Sequence, residues 1–251
     1  MERHEYEKLD QVEDRMWWFA ALHQNVLMLA GRLRLDTFRR PILDAGCGTG
    51  GLLLQLAGRY PAAALLGLDR DPLACARAAA KSARPVCAGS VNELPFADAA
   101  LAAIFSADVL CHDGVDERDA LRQFRRCLAE NGWLILNLPA YSWMLSRHDI
   151  AVANTRRYTA SRLRRLLHTA GFRPVFVSYW NALLFPLMVV TRKFFPGNPA
   201  AASDVRLFPR PVDMLCRAAT SLELALLRVG LRLPFGGSIL VVAARSEMAR
   251  G

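Results

Sequence analysis

The chain has 251 residues, 53% hydrophobic and 22% charged, which excludes a disordered polymer and lets a full core form without crosslinks. Its net charge of +9, carried by 29 Arg and 3 Lys, admits three partners: nucleic acid, an anionic membrane or an acidic small substrate. Six scattered cysteines form no CxxC pair, and no apolar run reaches the ~18 residues a membrane span needs, so zinc-ribbon, dithiol and transmembrane classes lose support.

Residues 5–35 read as helix, in one or two pieces, with Trp17, Trp18 and Phe19 clustered ahead of Val26, Leu29 and Leu33 at helical spacing. The start of the sequence carries charges where a secretory leader would be apolar, so free thiols in a cytoplasm are expected. After Pro41 the run ILDAG reads as a buried parallel strand entering a glycine-rich turn. A helix follows at 51–60, then a strand at 63–69 that ends on Asp69. Asp71 and Pro72 suit the N-cap and first turn of a helix over 71–83. Strands are predicted at 85–91, within 100–110 and at 133–139, with a helix at 116–127 closed around Asn131-Gly132. This alternation predicts a doubly wound, Rossmann-like parallel sheet.

Beyond Pro139 the rhythm changes. Residues 141–158 show no period, 159–171 read as helix and 172–180 as strand. Two apolar or amphipathic helices, about 181–195 and 212–230, flank a Pro- and Ala-rich loop before a last strand at 238–245. The charge divides at the same place: residues 1–140 hold 16 basic and 18 acidic groups, residues 141–251 hold 16 and 5.

The turn from Asp44 to Gly51 joins a strand to a helix. Its glycines allow close approach of a ligand, and the helix start offers free N–H groups. Gly46, Gly48 and Gly51 also match a dinucleotide fingerprint. Asp44, however, would repel a pyrophosphate and attract an ammonium group, and Asp69 can accept from both ribose hydroxyls. A ligand with a ribose, a cationic amino-acid end and no phosphate fits best; S-adenosylmethionine has that form, and NAD fits less well.

ILDAGCGTG, GLDRDP, NELPFADAALAAIFSADVLCH and LxxNGWLILNLP, in this order and spacing, resemble the class I S-adenosylmethionine-dependent methyltransferases, strongly over 40–140. The stretch from LPAYSW to HTAGF is similar to a bacterial subgroup of that family. The resemblance implies a single domain with a seven-stranded sheet and an antiparallel last strand. Residues 1–38 would be a helical lid, 39–140 the cofactor core, and 141–251 an acceptor-side segment with a helical insertion at about 181–232.

It implies that Gly46, Cys47 and Gly48 meet the methionine end of the cofactor, with Asp44 near its ammonium. Asp69 would hold the ribose, Arg70, Ser90 and Val91 the adenine, and Ser106 and Ala107, with Asp108, would lie near the sulfonium; Asp108 is alternatively a helix cap. Trp18 would cap the cofactor from the lid, where an aromatic face attracts a sulfonium, or else dock the helix on the core. His112 and His148 are candidate proton acceptors, with loop-ordering or substrate-orienting roles as alternatives. Tyr141, Arg157 and Tyr158 are candidate acceptor contacts, with Arg157 suited to a carboxylate or phosphate. The implied product is S-adenosylhomocysteine, and no metal is expected.

The expected acceptor is a small or lipid-linked molecule. A nucleic-acid acceptor is not expected, because the fourth strand ends SADV rather than in the Asn/Asp-Pro-Pro-Tyr type that grips a flipped base. A protein that binds the cofactor without methylating stays open. The helices at about 181–230 would be a cavity wall, a homodimer contact, or a peripheral contact with the inner face of the membrane.

Overall fold

A computed structural model describes residues 3–33, 39–194 and 207–246. Most of the loop expected at 197–211 lies outside them.

The N-terminal helix forms as two, α1 (Arg3–Val12) and α2 (Trp17–Arg32). The alternating unit then runs β1 (Ile42–Ala45), α3 (Gly51–Arg59), β2 (Leu65–Asp69), α4 (Pro72–Ser82), β3 (Val86–Ala88), β4 (Leu101–Ala107), α5 (Glu117–Cys127) and β5 (Leu128–Pro139). Asp71 caps α4 as expected, accepting from the backbone N–H of Leu73 at 2.8 Å and of Ala74 at 3.2 Å. Asp116 does the same for α5.

One turn was misplaced by the sequence reading. Asn131-Gly132 does not close α5, which stops at Cys127; it lies inside β5. Asn131 takes φ +60 there, and the pairing with β4 slips between Leu101 and Ala103, so the turn signal marks an irregularity in the strand.

The aperiodic stretch after β5 holds a 3₁₀ turn, Ser142–Met144, and a short helix, α6 (Arg147–Ala151). α7 (Ala160–Thr169), β6 (Phe172–Trp180), α8 (Phe185–Phe194), α9 (Arg210–Arg228) and β7 (Ser238–Arg245) complete the chain. α8 starts at Phe185 rather than 181 because Pro186, which lacks an N–H, is tolerated only in a first turn.

The seven strands lie in the order β3-β2-β1-β4-β5-β7-β6. All neighbours are parallel except β7, which is antiparallel to both β5 and β6. Successive strand residues face opposite layers. Leu43, Ile104 and Leu134 pack with α5 and α7 through Phe124 and Leu163, while Ile42, Phe105 and Ile135 pack with α2 and α3 through Leu29 and Leu53. The order reverses between β1 and β4, and a doubly wound sheet binds ligands at the strand ends beside such a reversal.

Candidate active site

A cavity opens at that reversal. Its floor is the turn after β1. Gly46 and Gly48 take φ +83 and +54, and a Cβ on Gly46 would lie 2.2 Å from Val109 Cγ2, so only glycine fits. The N–H groups of Gly46 and Cys47 both donate to Leu68 O, at 2.7 and 3.0 Å, which locks the turn onto the end of β2.

Three carboxylates face this floor. Asp44 is buried, its Oδ2 has no hydrogen-bond partner, and burial, then the nearby charges of Asp69 and Glu13, push its pKa up to about 8. Asp69 accepts from Gly48 N at 2.8 Å and from Asp71 N at 3.0 Å. Glu13, just after α1, accepts from Thr49 Oγ1 at 2.6 Å and pairs with Lys81 of α4; burial raises its pKa against those two partners. Lys81 also reaches Asp10 at 3.1 Å and Asp14 at 3.4 Å, and Arg77 reaches Asp10 at 3.7 Å, so cations of α4 tie the N-terminal segment down beside the turn. His23 of α2 lies close by, and burial lowers its pKa to about 4, which keeps it neutral.

Beyond the floor stands Asp108, at φ +55. It caps no helix, since Asp116 caps α5. Its Oδ2 accepts from Asn137 Nδ2 at 3.0 Å, Asn137 Oδ1 accepts from Trp180 Nε1 at 2.8 Å, and Trp180 packs on Trp18 with ring centroids 5.8 Å apart. Asp108 Oδ1 has no hydrogen-bond partner, and burial raises the pKa to about 7. His112 follows on the same loop; its Nδ1 is buried without a hydrogen-bond partner, and burial lowers its pKa.

The cavity therefore brings together Trp18, Asp44, Gly46, Cys47, Gly48 and Asp69, with Ala107, His112, His148 and Arg157 further along. Arg157 is already engaged. It is buried, and its Nε and Nη2 donate to the two oxygens of buried Asp149 at 2.9 and 3.0 Å, while Nη1 donates to Ala140 O at 3.0 Å. Asp149 thus serves Arg157, not its sequence neighbour His148.

Six expected site residues lie outside this cavity lining. Tyr158 is fully buried, and its hydroxyl bonds Leu110 O at 2.9 Å and Glu117 Oε2 at 2.8 Å, so it holds the scaffold rather than an acceptor. Tyr141 is stacked on Tyr179 at 5.3 Å. Val91 is in the core, Ser90 Oγ accepts from Asn92 N in a tight turn, and Ser106 is buried. Arg70 is exposed, beside Gly114.

Sequence reasoning missed Leu9, Glu13 and His23 on one side of the cavity, and Asn154, Asn181, Met188 and Arg192 on the other. Only Asn181 carried a signal, as an Asn after a strand that adopts φ +57. The others reach the cavity through tertiary packing: Leu9, His23, Met188 and Arg192 from helices, Glu13 from the turn after α1 and Asn154 from the loop that bridges to His112.

Comparison with known proteins agrees with this architecture. Residues 43–136 match the family model described as a methyltransferase domain. The malonyl-acyl-carrier-protein O-methyltransferase of Dechloromonas aromatica is 32% identical over 162 residues, 62% of this chain and 60% of that protein. The ubiquinone/menaquinone biosynthesis C-methyltransferase UbiE of Syntrophotalea carbinolica is 33% identical over 133 residues, 49% of this chain and 50% of that protein. The matches thus span between half and 60% of the length of these curated relatives.

Among solved structures, the geranyl diphosphate C-methyltransferase of Streptomyces coelicolor A3(2) shares the fold at 14% identity, with a TM-score of 0.60 over 88% of this chain and 75% of that one. The [4+2]-cyclase SpnF also shares it, at 18% identity and a TM-score of 0.57, covering 88% of this chain and 80% of that one. Residues 43–136 are a methyltransferase domain, carried on the seven-stranded fold of the class I S-adenosylmethionine-dependent methyltransferases. The family's cofactor fits the residues present. Unpartnered Asp44 suits a cationic amino-acid end, the Gly46–Gly48 turn leaves room for backbone contact, and Asp69 supplies oxygens at the end of β2.

Proposed function

We propose that this chain is an S-adenosylmethionine-dependent methyltransferase that acts on a small or lipid-linked acceptor. The buried carboxylate of Asp44, with one oxygen lacking a hydrogen-bond partner beside the Gly46–Gly48 turn, carries the reading. A cation is the group that relieves such a site. The cofactor supplies a methyl group on a good leaving group, so the chain's task is chiefly to hold two reactants in line.

A base is required only where the acceptor carries a proton. His112, held neutral by burial, is assigned as the acceptor of that proton, and His148 as an orienting group. Asp108, through its oxygen that lacks a hydrogen-bond partner, is the second candidate base. Arg157 supports the cavity wall, since Asp149 and Ala140 take up its donors. The two curated relatives act on malonyl-acyl-carrier protein and in ubiquinone/menaquinone biosynthesis, which supports a small or carrier-borne acceptor here.

Calorimetry with S-adenosylmethionine and S-adenosylhomocysteine tests the first half of the proposal: both should bind, and affinity for neither would end it. Conversion of one to the other with an acceptor panel tests the second. Because the cyclase SpnF shares the fold, binding without transfer to any acceptor would point to a non-methylating catalyst.

A further inference from the structure

α9 buries one face and leaves another apolar face in water. Cys216, Thr220, Leu224 and Leu227 are buried, and α9 packs on α2. Turned outward are Met214 and, spaced by three or four residues over four turns, Leu215, Ala218, Leu222, Ala225 and Val229. Met214, Leu215, Leu222 and Val229 are 69%, 67%, 55% and 77% exposed. Leu183, Leu187 and Val190, at and before α8, are also exposed, at 52%, 60% and 44%. Leu183 N donates to Glu223 Oε1 at 2.8 Å, which sets the approach to α8 against the middle of α9, beside Leu222. Exposed apolar surface of this extent marks an interaction site.

Its rim is basic. Lys193, Arg210, Arg228 and Arg232 are exposed. Among the described residues of 183–235 the only acids are Asp213, paired with Arg217, and buried Glu223. No helix among the described residues is long and apolar enough to cross a membrane. We propose that the α8–α9 face docks on an anionic bilayer surface, with its stripe in the acyl boundary and its rim on the headgroups. A second copy fits less well, because a two-fold self-contact would press this basic rim against itself. α8 also carries Met188 and Arg192 on the cavity wall, so docking would bring the cavity to the headgroups. Delivery of an acceptor from the bilayer rests on the transfer reading above; docking itself does not.

The test is co-sedimentation of the full chain with phosphatidylcholine vesicles, with and without phosphatidylglycerol. Binding should be at least about tenfold stronger to the anionic vesicles and should weaken with salt. The double variant Leu215→Glu/Leu222→Glu should lose about tenfold or more, and Leu187→Glu should lose binding independently, with unfolding curves checking that each variant is folded. Equal binding to both vesicle types, no binding, or full binding by the folded variants would overturn the proposal. A dimer that the double variant splits, without vesicle binding, would overturn it in favour of a second copy. Vesicle binding in a protein with no affinity for S-adenosylmethionine would uphold docking and remove only the transfer reading.

Discussion

Asp44→Asn isolates the electrostatics of the cofactor floor. In the folded chain the Asp44 pKa rises from 3.8 to about 8, by burial first and then by Asp69 and Glu13. Between those values the native state holds a proton that the unfolded chain has released, so this residue's contribution to stability falls as pH rises. The slope approaches ~1.4 kcal/mol per pH unit, and the accumulated cost reaches roughly 6 kcal/mol above the folded pKa. Asparagine keeps the shape of the protonated acid and has nothing to ionise. The difference in stability between variant and parent should therefore widen from about pH 4 to about pH 8 in favour of the variant, read by urea unfolding at several pH values.

The same proton links to ligand binding. A bound cation favours the carboxylate, so below about pH 8 S-adenosylmethionine should bind with release of close to one proton, and affinity should rise up to about tenfold per pH unit. Calorimetry in buffers of different ionisation enthalpy counts that proton. The variant should bind weakly and release none. Parallel stability curves, together with pH-independent binding in the parent, would refute the assignment of Asp44 as the cation site.

Asp69→Ala should weaken S-adenosylmethionine by about 1–3 kcal/mol in calorimetry and also lower the melting temperature, because the N–H groups of Gly48 and Asp71 lose their acceptor. Asp149→Ala should cost about 3–5 kcal/mol in chemical unfolding, since it leaves Arg157 charged and buried without its carboxylate. Gly46→Ala meets both a 2.2 Å approach to Val109 and an unfavourable φ, so it should cost at least about 1–3 kcal/mol and abolish cofactor binding at accessible concentrations. His112→Ala should slow transfer by about a hundredfold or more if the acceptor carries a proton, with S-adenosylmethionine affinity unchanged in calorimetry.

The sequence by itself determined the alternating core, the glycine-rich turn and the acid at the end of β2. These depend on local chemistry: apolar runs that must be buried on two faces, glycines required by positive φ, and Asp-Pro at a helix start. It also implied an antiparallel last strand by resemblance, and β7 is antiparallel; its position between β5 and β6 is read only from the structure. What only the tertiary structure decided is which side chains share the cavity. Glu13 and Asp44 are 31 positions apart in sequence, and their meeting depends on how α1 and α2 lie across the strand ends. Tyr158 looked like an acceptor contact because it sits in an Arg-rich stretch, yet its hydroxyl turns inward to Leu110 and Glu117. A buried polar group must find a partner, and the one nearest in space, as for Asp149 with Arg157, need not be nearest in sequence.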